Sequence, residues 1–196
     1  MKIVLATGNK GKIKEYESLL APLGAELLLA SSLGIDMDVE ENGSDYRSNA
    51  LIKARHVRKF TSLPVLSDDS GLEILALDRF PGLKTGRFAS TMGGYPNAFQ
   101  EVFRRLEGKK RDAQFVCTIC FLPENEDTPL FFEGVCPGEI LTSVVGENGF
   151  GYDPIFYSYE AAIPLGEASE EIKDRYSHRG KASQKLLEYL LSKRNG

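Results

Sequence analysis

Two consecutive carboxylates, Asp68-Asp69, stand at the end of an apolar run and are followed by Ser70-Gly71. Paired carboxylates at the end of a buried strand are costly unless something uses them. Oxygen donors of this type suit a hard cation such as Mg²⁺, which also bridges to substrate phosphates. Successive strand residues face opposite ways, so one carboxylate can bind metal or activate water while the other supports the backbone. The same letters also suit a turn, because Asp, Ser and Gly favour turns.

Four further segments carry chemistry. Thr7-Gly8-Asn9-Lys10-Gly11-Lys12 follows a strand and opens a helix, where free amides and the dipole favour phosphate. It is not a P-loop: two residues separate Gly8 from Gly11, and Ile13 stands where a P-loop has Ser or Thr. An ordinary strand-to-helix turn remains the alternative. Asp38-Val39-Glu40-Glu41-Asn42-Gly43 offers a metal ligand or a solvated acidic loop, and Lys53 beyond it offers a phosphate contact or a surface charge. Gly149-Phe150-Gly151-Tyr152-Asp153-Pro154 combines glycines, two rings and a carboxylate, which suits stacking on a base, or an aromatic β-turn. Ser177-His178-Arg179-Gly180-Lys181, with Lys173 upstream, suits phosphate or base-edge recognition, or a solvated basic helix start.

Other features read as structural. Cys117 and Cys120 lie three residues apart on an apolar strand, so they face opposite ways, and no second pair completes a zinc site. Pro81–Phe88 reads as a turn-rich loop whose Arg87 offers one more anion contact.

The elements that must position these residues follow from periodicity. Lys2–Ala6, Glu26–Ala30, Leu63–Ser67, Leu72–Leu77, Ala113–Leu122, Leu130–Val135 and Ile140–Val145 read as strands, with Pro137-Gly138 as a turn between the last two. Lys12–Leu20 carries Ile13, Tyr16 and Leu20 at helical spacing. Asp45–Phe60 carries Tyr46, Ala50, Ala54 and Val57 on one face, with Ser44 as N-cap. Asn97–Leu106 and Lys181–Lys193 complete the helices. Strands joined with and without helices predict an α/β fold with a mixed central sheet and flanking helices.

Composition bounds the answer. The 196 residues, 42% hydrophobic and 27% charged, suit one soluble globular domain of two lobes. The net charge of −4 argues against a general nucleic-acid binder. No apolar run approaches the ~18 residues of a membrane span, and Met1–Ala6 is too short for a secretory signal. Three cysteines are too few for a disulfide framework, which points to a reducing cytoplasm.

Taken in order, these motifs resemble the inosine/xanthosine triphosphate pyrophosphatase family over essentially the whole chain. The resemblance rests on Thr7–Lys12, Glu40–Gly43, Ser67–Leu72, Phe80-Pro81-Gly82, Gly149–Pro154 and Ser177–Gly180. It implies one pyrophosphatase domain over 1–196, with two lobes around a nucleotide-binding cleft. The implied reaction is Mg²⁺-dependent hydrolysis of ITP, dITP and XTP to monophosphate and pyrophosphate, in a cytoplasmic homodimer without nucleic-acid or membrane partners.

By the same resemblance, Thr7, Gly8, Asn9, Lys10, Gly11 and Lys12 bind the triphosphate. Asp69 is the catalytic base and lies near the metal, Glu40 or Glu41 is a metal ligand, and Ser70 contacts substrate. The residues themselves add Asp68 to the metal ligands and Lys53 to the substrate contacts. Phe150, Gly151, Tyr152 and Asp153 read the base, aided by Lys173, His178 and Arg179. Lys84 stands where the family often has an aromatic residue, so no role transfers to it. Asp174-Arg175-Tyr176 is more polar than the family's usual segment. A related enzyme acting on modified pyrimidine nucleotides, a nucleotide sensor and a Gly-x-x-Gly RNA-binding module are the competing readings.

Overall fold

The computed structural model describes residues 1–194. In chain order the elements are β1 (Lys2–Leu5), α1 (Lys10–Leu19), β2 (Glu26–Leu29), α2 (Tyr46–Arg58), β3 (Val65–Ile74), β4 (Phe80–Pro81), α3 (Thr85–Thr91), α4 (Tyr95–Arg105), β5 (Asp112–Leu122), β6 (Leu130–Ile140), β7 (Phe156–Ser158), β8 (Ile163–Pro164), α5 (Glu170–Tyr176) and α6 (His178–Arg194). The strands run β2-β1-β3-β5-β6-β7-β8, with β4 on β3. β1 is parallel to β2 (Ile3 opposite Leu27) and to β3 (Val4 opposite Val65). β7 is antiparallel to β6 and β8. The expected mixed α/β sheet is therefore present.

The chain forms two compact units. The first comprises Met1–Asp69, Cys117–Gly134 and the chain from Arg179 onward; the second comprises Ser70–Val116 and Val135–His178. In the first unit, period-2 alternation builds two cores. Ile3, Leu5, Leu66, Cys117, Ile119 and Phe121 pack with Tyr16 and Leu20 of α1 and with Leu186 and Leu190 of α6. Val4, Ala6, Val65, Cys120 and Leu122 pack with Ala50, Ala54 and Val57 of α2. Strands buried on both faces read as continuous apolar runs, which is why their period is hard to see. Cys117 and Cys120 fall in different cores, as their spacing predicts. In the second unit, Leu72 and Ile74 of β3 pack with Phe99 and Val102 of α4, Phe115 and Tyr152.

Several boundaries differ from expectation. β3 runs unbroken from Val65 to Ile74, so Asp68-Asp69-Ser70-Gly71 is strand and not a turn. Leu75–Leu77 is a short 3₁₀ turn. β6 likewise runs through Pro137-Gly138, and Leu141–Val145 forms no strand. Tyr159 still donates to the Pro137 carbonyl at 3.1 Å. A Cβ on Gly138 would sit 2.0 Å from the Tyr157 carbonyl, so this glycine permits strand packing and does not make a turn. The cap of α2 is Asp45, not Ser44: its carboxylate accepts from Ser48 N at 2.7 Å. Of Pro81–Phe88, read as a turn-rich loop, the part from Thr85 belongs to helix α3 (Thr85–Thr91), which carries exposed Arg87. α6 begins at His178, three residues before the expected start.

Candidate functional site

The first unit holds a carboxylate–ammonium centre built by the alternation of β3. Leu66 faces the core under α1 and α6, so Asp68, two residues on, faces the same way. Its carboxylate is fully buried and meets Lys12 Nζ at 3.0 Å. It also accepts from Arg179 Nε at 3.2 Å and Nη2 at 3.1 Å. Arg179, 1% exposed, spends its remaining Nη1 on Glu15. The Cys117 thiol completes the surround, 3.7 Å from Asp68 Oδ2.

Ser67 and Asp69 face α2. Ser67 Oγ donates to the Ala50 carbonyl at 2.6 Å. Asp69 accepts from Asn49 Nδ2 at 3.0 Å and stands 3.9 Å from Lys53 Nζ. Lys53 also pairs with Glu41 at 3.0 Å. Asn49 and Lys53 are one helical turn apart, so both project from one face of α2. The acidic loop is tied in place, because Gly43 N donates to Asn49 Oδ1 at 2.8 Å. Glu41 is thus the glutamate that meets this centre, while Glu40 is exposed.

Burial alone would raise the Asp68 carboxyl, but Lys12, Arg179 and Lys53 overrule it and hold it well below the usual carboxylate range. Arg179 is correspondingly raised: burial works against its charge, and Asp68 and Glu15 outweigh that. Lys12 is lowered, first by burial and then by the neighbouring cations Lys53 and Arg179, against the pull of Asp68. Burial raises Asp69, while Lys53, Lys12 and Asn49 oppose the rise. Lys53 is raised although burial opposes it, because Asp68, Asp69 and Glu41 favour its charge.

The turn before α1 lies in the same unit. Asn9 is the N-cap and accepts from Gly11 N at 2.9 Å and Lys12 N at 3.2 Å. Asn9 N in turn donates to Thr7 Oγ1. Two of the amides expected to face phosphate are therefore held by the cap. Gly8 and Lys10 are exposed, and a Cβ on Gly8 would meet nothing within 4 Å.

The second unit holds the aromatic segment. Asp153, 4% exposed, accepts from Phe150 N at 2.9 Å and from Lys173 Nζ at 2.8 Å. Lys173 also lies 5.2 Å from the Phe150 ring centroid. Gly149 has φ +75°, and a Cβ there would come within 2.1 Å of Asp153 Oδ2. The Tyr152 ring is core: it packs edge-on against Tyr95 and Phe99, and its hydroxyl donates to the Thr85 carbonyl. Phe150 and Gly151 are half-buried. His178 stacks on Phe115 at 4.8 Å and 14°. Ser70 is half-buried on β3.

The expected site residues thus fall into two sets. Lys12, Lys53, Glu41, Asp68, Asp69 and Arg179 converge in the first unit, and Phe150, Asp153 and Lys173 in the second. Sequence reasoning missed Asn49 and Glu15. Asn49 carried a signal: it is a polar residue one turn before Lys53, flanking the apolar stripe of α2.

The centre also bears on a metal. Among the described residues no group of three or more His, Cys, Asp or Glu forms a self-contained cage. Glu41 and Asp69 are hard oxygen donors sharing one ammonium. That set fits Mg²⁺, which is commonly held by one or two carboxylates plus substrate phosphates.

These features define a mixed α/β protein with a buried carboxylate–ammonium centre on its sheet. The chain belongs to the Ham1 family, whose model matches residues 3–189. It is 42% identical over 193 residues to a dITP/XTP pyrophosphatase of Photobacterium profundum, covering 96% of this chain and 98% of that one. It is 45% identical over 190 residues to a dITP/XTP pyrophosphatase of Thermus thermophilus, covering 96% and 91%. Among solved structures, a HAM1 protein from Coxiella burnetii superposes with TM-score 0.86 at 38% identity, covering 98% of this chain and 99% of that one. The Staphylococcus aureus Ham1 protein gives 0.86 at 34%, covering 98% and 100%.

Proposed function

We propose that this protein hydrolyses non-standard purine nucleoside triphosphates, dITP, ITP and XTP, to the monophosphate and pyrophosphate. The observation that carries this reading is the Asp69 carboxylate, held between Asn49 and Lys53, with Glu41 on the same lysine. The names of the relatives supply the substrate class.

In this reading Asp69 accepts a proton from water as the water oxygen bonds to the α-phosphorus. The bond from that phosphorus to the bridging oxygen breaks, and pyrophosphate leaves with the electron pair. Burial makes Asp69 a stronger base than an exposed aspartate, which suits the role. Lys12 and Lys53 supply positive charge to the phosphates, and the open turn at Gly8 and Lys10 gives them room. Asp68, itself held by Arg179, keeps Lys12 in place.

Among the described residues, Lys12, Lys53 and Arg179 are already paired with Asp68, Asp69, Glu41 and Glu15 before a polyanion arrives. That prior pairing supports a metal requirement. Glu41 and Asp69 would hold Mg²⁺, which when bound neutralises phosphate charge.

The base is assigned to Phe150 as its stacking surface, with the Phe150–Asp153 segment and His178 as its readers. Hypoxanthine and xanthine present a carbonyl at position 6, where adenine presents an amino group, so donors at that point favour the former; guanine shares that carbonyl, so its 2-amino group is rejected by shape or by a donor it would leave unpaired. Asp153 and Lys173 build this segment internally, and Arg179 is committed to Asp68 and Glu15. We further assign residues 1–196 to one catalytic domain working as a cytoplasmic homodimer.

The test is turnover of dITP by Asp69→Asn and by wild type with EDTA. Both should lose about 10²-fold or more. Near-normal turnover in the variant would remove Asp69 as base; full activity in EDTA would remove the metal.

A further inference from the structure

We propose that Asn49 is a positioning residue that aims the catalytic carboxylate and latches the acidic loop to it. The inference rests on the assignment of Asp69 as base. Asn49 is 2% exposed and uses both ends of its amide. Nδ2 donates to Asp69 Oδ2 at 3.0 Å. Oδ1 accepts from Gly43 N at 2.8 Å, and Gly43 closes the loop that carries Glu41. One side chain therefore joins the loop to the strand, and Glu41 and Asp69 are set against the same Lys53.

The approach is close. A Cβ on Gly43 would lie 2.6 Å from Ser48 Cβ, 2.7 Å from Asn49 Oδ1 and 2.9 Å from Asn49 N. The loop can reach Asn49 only with a glycine there. The base of the latch is firm as well, because the Asp45 cap holds Ser48 N at 2.7 Å and fixes the first turn of α2. A buried amide that satisfies a donor and an acceptor at once fixes its own rotamer, and with it the carboxylate it holds. Lys53 supplies charge to Asp69 but has a long flexible stem, so direction comes from Asn49.

The test is a double-mutant cycle of Asn49→Ala and Asp69→Asn, read as kcat and KM for pyrophosphate release from dITP. Misplacing a catalytic group by about 1 Å costs on the order of 10²-fold. Asn49→Ala should lower kcat about 10–100-fold, with KM within about threefold of wild type. A residue acting through Asp69 should add almost nothing once Asp69 is replaced. An equal loss in the Asp69→Asn background would overturn the proposal, as would a normal kcat for Asn49→Ala beside an inactive Asp69→Asn. Normal turnover in Asp69→Asn would instead overturn the base assignment itself, and with it this role. If Asn49→Ala does not fold, Asn49→Asp serves in the same cycle. It keeps the size and the acceptor for Gly43 N but loses the donor, so its kcat should fall at least as far.

Discussion

Asp68 and Asp69 are neighbours on one strand, yet their carboxylates turn to opposite sides of it and serve different partners. Asp68 is sealed against Lys12 and Arg179, while Asp69 lies on α2 between Asn49 and Lys53. Strand alternation thus turns one dipeptide into a structural anchor and a reactive group.

Lys53 is expected to matter to chemistry more than to folding. Replacing it with Met removes the ammonium shared by Glu41 and Asp69. Turnover should fall on the order of 10²-fold, the scale of one lost electrostatic donor, and less Mg²⁺ should be needed for half-maximal rate, because the ammonium that competes for Glu41 and Asp69 is gone. Unchanged kcat and metal requirement would place Lys53 outside the centre.

Arg179 is expected to matter to folding more than to base choice. Removing one partner of a buried ion pair costs about 3–5 kcal/mol, or roughly 6–20 °C in Tm at this chain length. Arg179→Ala should show that loss in thermal denaturation while keeping the dITP-to-GTP preference of the residual activity. A changed preference with normal Tm would return Arg179 to base reading.

Acid should attack Asp68 late. Its pKa is depressed in the folded state, so the stability it contributes is complete above the unfolded value of 3.8. That contribution is lost as pH falls from there toward the lower folded value. Asp68→Asn should be less stable at neutral pH and show a flatter decline below about pH 4, measured by urea denaturation across pH. A slope equal to wild type would contradict the ion-pair assignment.

Cys117 and Cys120 are free, buried and pushed up to about 12 by burial. The thiolate is the reactive form. The native protein should resist iodoacetamide at these positions at pH 8 and react in denaturant, as read by peptide mass. Rapid native labelling would contradict their burial.

Much of this was legible in the residues, and the failures have physical causes. The continuous apolar, β-rich runs of β1 and β5 and the apolar stripe of α2 mark their elements, because burial demands apolar residues on both faces of those strands and on one face of the helix. Asp68–Gly71 and Pro137-Gly138 read as turns because their local preferences favour turns, and sheet pairing overrides those preferences at both places. The role of Arg179 was hidden because Asp68 is 111 residues away in sequence and Glu15 is 164. Tyr152 looked available for stacking, but its ring is consumed by the core of the second unit. Asn49 lay beside the expected apolar face, yet only its contacts to Asp69 and Gly43 show what its amide does.

The most direct measurement is pyrophosphate release from dITP, XTP, GTP, ATP and a modified pyrimidine triphosphate, each with Mg²⁺ and with EDTA. Mg²⁺-dependent release is expected from dITP and XTP, with ATP and GTP slower by up to about 10⁴-fold, a discrimination within reach of a site built on buried hydrogen bonds. Equal release from all of them, or binding without release, would contradict the proposed function.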